Sequence, residues 1–346
     1  MSQNISVQQA IGKVVSGGNL SRAEARGVMS EIMEGAATPA QIGSLLTALR
    51  IKGETLEEIT GFAETMRGKA LQVSVQQANL LDTCGTGGDG AETFNISTTA
   101  AIVAAAGGIR VAKHGNRAMS SRSGSADVLE ALGVNITLNG EQAASCLDKV
   151  GICFMFAQAY HQSMKHVAAP RRELGFRTVF NLLGPLTNPA GADRQVLGVF
   201  DSSKTELIAQ ALQALGLKRA LVVASEDGLD EFSISAPTKV TELKSDTIRT
   251  YSITPDELGL RAHSIKDVAG GDAVMNAELI RHIFAGDKGP HRDIVLANAA
   301  ACFYVTGQVG TLQQGVKLAA DIIDSGRAEQ KLNDLIQFTG ELSHVS

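Results

Sequence analysis

A strand, a glycine-rich turn and a helix start in direct succession restrict this chain more than any other stretch. Leu80-Leu81-Asp82 reads as the end of a buried strand, and Gly85-Thr86-Gly87-Gly88-Asp89-Gly90 follows almost at once. Glycine there lets backbone amides come close to a ligand that side chains would hold off. Asn95-Ile96-Ser97-Thr98-Thr99 then opens an Ala-rich run to Ala106, and Gly107-Gly108 stops it. Amide and hydroxyl side chains belong at a helix N-cap and glycine at its C-terminal end.

A second unit of the same kind comes next. A short strand over 109–112 leads into Lys113-His114-Gly115-Asn116-Arg117, read as a basic loop, and Ser120-Ser121-Arg122-Ser123-Gly124-Ser125 opens a helix through Leu132. Orphan N–H groups and the helix dipole at two such starts favour phosphate, and the lysine and arginine between them add charge. A ligand carrying phosphate at more than one position would use both ends.

The turn matches G-x-G-x-x-G, so a dinucleotide site has to be weighed. Such a site wants an acidic residue near the end of the next strand to hold the ribose hydroxyls. Here that strand runs into Lys113 and His114, with no carboxylate until Asp127. No G-x-x-x-x-G-K-[ST] occurs either. The structural alternative is a tight turn packed under a helix. It accounts for Gly87 or Gly88, but not for Asp89, Asn95, Ser97 and Thr98 beside them.

The rest of the chain divides into two textures. Residues 1–72 read as helical, with capping boxes at Ser21…Glu24, Thr38…Gln41 and Thr55…Glu58 and an apolar face of Ile42, Leu45, Leu46 and Leu49. From 73 to 346 short apolar strands alternate with helical patterns. Strands are expected at 80–82, 109–112, 135–137, 152–155, 195–199 and 220–224, a hairpin or ribbon at 238–254, and three helices from 276 to 342. The fold class is α/β: a small all-helical N-terminal domain and a larger domain whose mainly parallel sheet is flanked by helices. A chain of 346 residues with 44% hydrophobic and 19% charged residues fits such a two-domain protein. A net charge of −5 opposes general nucleic-acid binding. Four scattered cysteines without a C-x-x-C pair, and no apolar leader or membrane-length run, point to a reducing cytoplasm.

Two further clusters carry chemistry. After the strand at 220–224 comes Ser225-Glu226-Asp227-Gly228-Leu229-Asp230-Glu231. Adjacent carboxylates at a strand end suit Mg²⁺ shared with phosphate oxygens, set against a plain solvated acidic loop. Pro170-Arg171-Arg172 precedes Thr178-Val179-Phe180-Asn181-Leu182-Leu183-Gly184-Pro185-Leu186-Thr187-Asn188-Pro189. An arginine in a cleft is a natural partner for a planar carboxylate, although a surface ion pair is its commoner fate.

Taken together, Asp82 to Asp89, Asn95 to Thr98, Lys113 to Arg117, Ser123 to Asp127, Arg171 and Asp230-Glu231 resemble the anthranilate phosphoribosyltransferase family, over nearly the whole chain. The resemblance implies transfer of phosphoribose from 5-phosphoribosyl 1-pyrophosphate to the amino group of anthranilate in tryptophan biosynthesis. It also implies a cleft between two domains, a homodimer, and part of 170–186 returning to the helical domain. By the same likeness Gly85, Gly88, Asp89, Thr93, Asn95, Ile96, Ser97, Thr98, Lys113, His114, Gly115, Asn116, Arg117, Ala118, Met119, Ser120, Ser121 and Ser125 would surround the donor. Ser97, Asp230 and Glu231 would hold Mg²⁺. Gly85, Asn116 and Arg171 would meet anthranilate, with His114 and His161 near the pocket. A pyrimidine nucleoside phosphorylase would not need the acidic pair. A non-catalytic nucleic-acid-binding paralogue should show a basic surface.

Overall fold

The structure, a computed structural model, describes residues 5–75, 79–88, 90–118 and 122–342. Four helices open it: α1 (Val7–Val15), α2 (Arg22–Met33), α3 (Pro39–Lys52) and α4 (Leu56–Lys69). Each begins with a capping box, in which Ser6, Ser21, Thr38 and Thr55 exchange hydrogen bonds with Gln9, Glu24, Gln41 and Glu58. Glu58 is fully buried yet satisfied, because it accepts from the Leu20 and Thr55 amides and from Lys52 Nζ.

The α/β part follows as β1 (Leu80–Gly85), α5 (Ile96–Ala106), β2 (Arg110–Gly115), α6 (Ser125–Leu132), α7 (Gly140–Val150) and β3 (Ile152–Phe156). Then come α8 (Ala157–Tyr160), α9 (Lys165–Leu174), α10 (Val179–Leu183), β4 (Arg194–Gly198), α11 (Thr205–Ala214) and β5 (Arg219–Ser225). The chain ends with the β6 (Thr238–Lys244) and β7 (Thr247–Ile253) hairpin and the helices α12 (Ala273–Phe284), α13 (Pro290–Thr306), α14 (Leu312–Asp324) and α15 (Arg327–Leu342).

The sheet runs β3-β2-β1-β4-β5-β6-β7, parallel from β3 to β5 and antiparallel through β6 and β7. From β1 the chain first builds outward through β2 and β3, then returns to the other side of β1 with β4. That reversal opens a crevice beyond the carboxyl ends of β1 and β4, where open α/β sheets bind ligands. The glycine turn enters this crevice directly, and Thr86 N–H donates to the Gly198 carbonyl at 2.9 Å.

Two apolar cores flank the sheet. One gathers α5, α6, α7, α13 and the β1–β3 side around Val111, Val196, Leu221 and Val223. The other joins α1–α4 to Val179, Phe180 and Leu183 of α10 and continues through α11 to Leu197, Ala220 and Val222. The segment around α9 and α10 therefore packs with the helical bundle while its ends remain tied to the sheet.

Sequence patterning and structure part company at four places. Residues 135–137 form no strand: Asn135 Oδ1 accepts from the Thr137 amide and hydroxyl, a local bond that replaces sheet pairing. The tail is four helices, because Gly307 and Gly326 adopt positive φ and break the run into α13, α14 and α15 behind α12. β2 extends to Gly115, so Lys113 and His114 lie in the sheet and not in a basic loop. Finally, Asn95 precedes α5 without capping it.

Gly198 gives a test of this packing. A methyl group there would run into the Asp230 backbone, beginning with its carbonyl oxygen. Gly198→Ala should therefore cost about 1–3 kcal/mol or more in urea denaturation, the usual range for overpacking. A loss under about 0.5 kcal/mol would show that the 226–231 loop yields freely, as a solvated surface loop does.

Candidate active site at the switch point

The crevice is defined by what its glycines leave out. A side chain on Gly85 would strike the Asp230 carboxylate, as one on Gly198 would strike the Asp230 backbone. The buried Asp230 fills that space and accepts the Gly87 amide on Oδ2 at 2.7 Å. Gly87 and Gly88 hold φ of 66° and 74°, the left-handed region that glycine enters cheaply. Within the acidic loop, Asp227 has a structural task. It accepts from the Ser233 and Ser235 hydroxyls and the Leu229 amide, and so fixes the loop that carries Asp230 and Glu231.

β1 and β2 register only at Leu80↔Arg110 and Leu81↔Val111. Beyond that point side chains bridge the strands. Lys113, 2% exposed, donates through Nζ to the Thr83 carbonyl at 2.5 Å and lies 3.4 Å from Ser97 Oγ at the start of α5. Asp82 accepts the His114 amide on Oδ1 and Asn188 Nδ2 on Oδ2, while the same Nδ2 donates to the Ala112 carbonyl. Burial raises the Asp82 carboxyl to about 6, against the opposing pull of Asn188 and Lys113. The Cys84 thiol is pushed well up, first by burial and then by Asp82, so it stays protonated and is no nucleophile.

His114 and His161 face each other with ring centroids 5.1 Å apart. Burial, then His161, pushes His114 down to about 3, and burial pushes His161 down to about 4. Both rings are neutral at pH 7. Each has a hydrogen bond to backbone, at Gly184 and Thr187 respectively, and each has a buried Nε2 without a partner among the described residues.

Around the two helix starts the polar side chains are tied to one another. Asn95 Oδ1 accepts from Ser123 Oγ and Asn276 Nδ2, and its own Nδ2 donates to the Ser123 carbonyl. Occupied in this way, Asn95 leaves the first amides of α5 with no side-chain cap. Asp127 ties down the start of α6 by accepting the Ala118 and Gly124 amides. The exposed Arg117 is committed to Asp127 and Glu130, so its charge is largely answered within the protein. Arg171 is half-buried over the Phe180 ring at 5.3 Å, and burial lowers its affinity for its proton.

Comparison with known proteins agrees with this arrangement. The description "Glycosyl transferase family, a/b domain" matches residues 77–329, and "Glycosyl transferase family, helical bundle domain" matches residues 8–70. The anthranilate phosphoribosyltransferases of Acetivibrio thermocellus and Brevibacillus brevis are 55% and 52% identical to this chain. The first match covers 96% of both chains, the second 97% of this one and 99% of the other. The chain belongs to the anthranilate phosphoribosyltransferase family. The crystal structure of the Thermus thermophilus member superposes with a TM-score of 0.91 at 45% identity, covering 95% of this chain and 99% of that one. The Saccharomyces cerevisiae enzyme in complex with PRPP and Mg superposes at 0.89 with 28% identity, covering 97% and 98%.

Of the residues that family likeness singles out, the fold gathers Gly85, Gly88, Ser97, Lys113, His114 and Asp230 around the switch point. Thr93 meets Ala269 in an isolated bridge, and Ile96 and Thr98 are buried at the start of α5. Asn116 is exposed and binds the Arg117 amide, Gly115 ends β2, and Ser125 is the first residue of α6. Asp89, Met119, Ser120 and Ser121 lie outside the described residues. Sequence reading passed over Asn188 and Asn276 as supports. Asp82 did carry a signal, a charge at the end of an apolar strand, while Asn276 carried none.

The neutral histidines fix a pH dependence. Their folded values lie below the ordinary 6.5, so their contribution is present above pH 6.5 and is lost as pH falls toward 4 and 3. Asp82, raised, acts in the opposite sense, and its contribution disappears as pH rises through 6. Near pH 5 unfolding takes up two protons at the histidines and releases one at Asp82. These groups together should then cost about 1.4 kcal/mol of stability per pH unit of acidification. In urea titrations between pH 6.5 and 4.5, replacing both histidines with Asn should change that slope by roughly two protons' worth, about 2.7 kcal/mol per pH unit. Parallel profiles for the two proteins would mean that the rings are already charged in the fold.

Proposed function

We propose that the switch-point crevice transfers phosphoribose from 5-phosphoribosyl 1-pyrophosphate to the amino group of anthranilate, giving N-(5-phosphoribosyl)anthranilate and pyrophosphate. One observation carries this placement: a buried lysine, an uncapped helix start and a carboxylate seated on a glycine turn converge at one strand switch. Donor phosphates fit the amides of the turn and of α5, with Lys113 as fixed positive charge. The donor set would comprise Gly85, Gly88, Asp89, Thr93, Asn95, Ile96, Ser97, Thr98, Lys113 through Ser121, and Ser125.

Asp230, Glu231 and Ser97 offer hard oxygen ligands suited to Mg²⁺. Among the described residues no group of three His, Cys, Asp or Glu could hold a metal unaided, which suits an ion whose remaining ligands are phosphate oxygens and water. Mg²⁺, when bound, neutralises charge developing on the leaving pyrophosphate. Lys113 and the α5 amides add to that stabilisation, and the crevice excludes water from the oxocarbenium-like ribose carbon. The amine of anthranilate is a neutral nucleophile, so positioning dominates and no covalent enzyme intermediate is needed. Arg171 would grip the acceptor carboxylate, Gly85 and Asn116 would flank it, and the unpaired Nε2 atoms of His114 and His161 would offer neutral acceptors nearby.

Loss of anthranilate fluorescence on adding donor and Mg²⁺ tests the reaction; a folded chain giving no donor-dependent change would refute it. In the same assay Arg171→Ala should raise the anthranilate KM about tenfold to a hundredfold, the worth of a lost charge-assisted hydrogen bond, and the donor KM far less. A donor KM that rises instead would move Arg171 to the phosphate side.

The chain also works, on this reading, as a homodimer in the cytoplasm. Four free thiols agree with a reducing compartment, and no described helix is long and apolar enough to cross a membrane. Val15 and Ile51, 69% and 81% exposed on the neighbouring helices α1 and α3, suit burial against a second copy. Light scattering should report a dimer at micromolar concentration, shifted to monomer by Val15→Glu with Ile51→Glu. A monomeric wild-type chain would contradict this.

A further inference from the structure

A second cation, apart from Lys113, stands at the glycine turn. Arg177 lies in the connector between α9 and α10, six residues beyond Arg171. Its guanidinium sits 4.1 Å from the centroid of the Phe200 ring, well within cation–π range. A methyl group on Gly88 would meet Arg177 Nη2 at 2.9 Å and Nε at 3.1 Å, so the guanidinium abuts the turn itself. Phe200 is fixed to the same turn, because its amide donates to Thr86 Oγ1 at 3.1 Å.

What Arg177 lacks is as telling as what it touches. Among the described residues its guanidinium makes no hydrogen bond and no ion pair, although it is half-buried. Arg22, Arg117 and Arg249 are each answered by carboxylates. A guanidinium carries five N–H donors in a rigid plane. Held 4.1 Å from the ring centroid with Nη2 and Nε at Gly88, it has N–H donors for a planar or tetrahedral anion at the turn, with little ordering left to do on binding.

We propose that Arg177 is a binding residue for the pyrophosphate end of the donor, with Phe200 as the platform that aims it. This rests on the reading that the donor phosphates lie at the glycine turn. Placement separates it from Arg171, which stacks on a different ring, Phe180. Two cations thus stand around the crevice: Lys113 at the Thr83 carbonyl and the Ser97 hydroxyl, and Arg177 at Gly88, from the segment that packs with the helical bundle. A charge aimed at the leaving group should act on donor and pyrophosphate and leave the acceptor alone.

Calorimetric titration of Mg²⁺ and inorganic pyrophosphate into the full chain tests this without relying on turnover. Arg177→Met keeps a flexible apolar side chain over Phe200 and removes the charge. It should weaken pyrophosphate binding about tenfold to a hundredfold. Arg177→Lys should restore part of the loss, and Phe200→Leu should weaken binding to a smaller degree by loosening the platform. Circular dichroism and thermal melts check that each variant is folded, and Arg177→Gln serves if the Met variant is not. Binding within twofold of wild type in the folded Met variant overturns the assignment, as does a wild-type chain that binds no pyrophosphate. So does a rise in anthranilate KM with pyrophosphate affinity unchanged. Weakened pyrophosphate binding in a chain that fails to consume anthranilate would uphold Arg177 and sink only the transfer reaction.

Discussion

The Asp230 carboxylate packed against Gly85, with its backbone against Gly198, is the contact on which the crevice depends. Three separate pieces of sequence meet there: the turn after β1, the end of β4 and the loop after β5. None of them holds that geometry alone. The glycines are needed for absence of bulk more than for flexibility, since the carboxylate occupies the volume that side chains would take. Asp227 serves the same end at one remove, bracing the loop so that Asp230 arrives at a fixed depth.

Electrostatics around the β1–β2 seam follow from burial. Lys113 has lost most of its water and recovers a carbonyl and a nearby hydroxyl in exchange. No described carboxylate forms a salt bridge with it, and Asp82 close by has its proton affinity raised. A buried cation of this kind has much to gain from a nearby anion. The histidine pair shows the converse. Their neutrality is enforced by burial, so the two rings add no charge to the crevice at pH 7.

Much of this was legible in the sequence. The capping boxes of α2, α3 and α4 announced themselves, since S/T-x-x-E/Q encodes its own hydrogen bonds locally. The glycine turn and the pair Asp230-Glu231 stood out by composition. Local rules failed where tertiary partners decide. Asn95 has an N-cap residue's chemistry, but Ser123 and Asn276 from distant segments claim it. Lys113 reads as a loop cation until β3 extends the ladder through Lys113↔Phe154 and carries it into the sheet. Arg177 offered no signal, because its meaning comes only from Phe200 and Gly88, which approach it from elsewhere in the chain.

The Gly87–Asp230 hydrogen bond joins residues 143 positions apart. Closing so long a loop is slow relative to forming the helices and local pairs, and its entropy has to be met before the contact returns anything. The crevice is therefore complete only once both halves of the sheet have docked. A nascent or partly unfolded chain can carry the glycine turn, the lysine strand and the capped helices and still lack the crevice between them. The floor of the crevice, at the glycine turn, and its wall, at the loop after β5, thus form in one step and not one after the other.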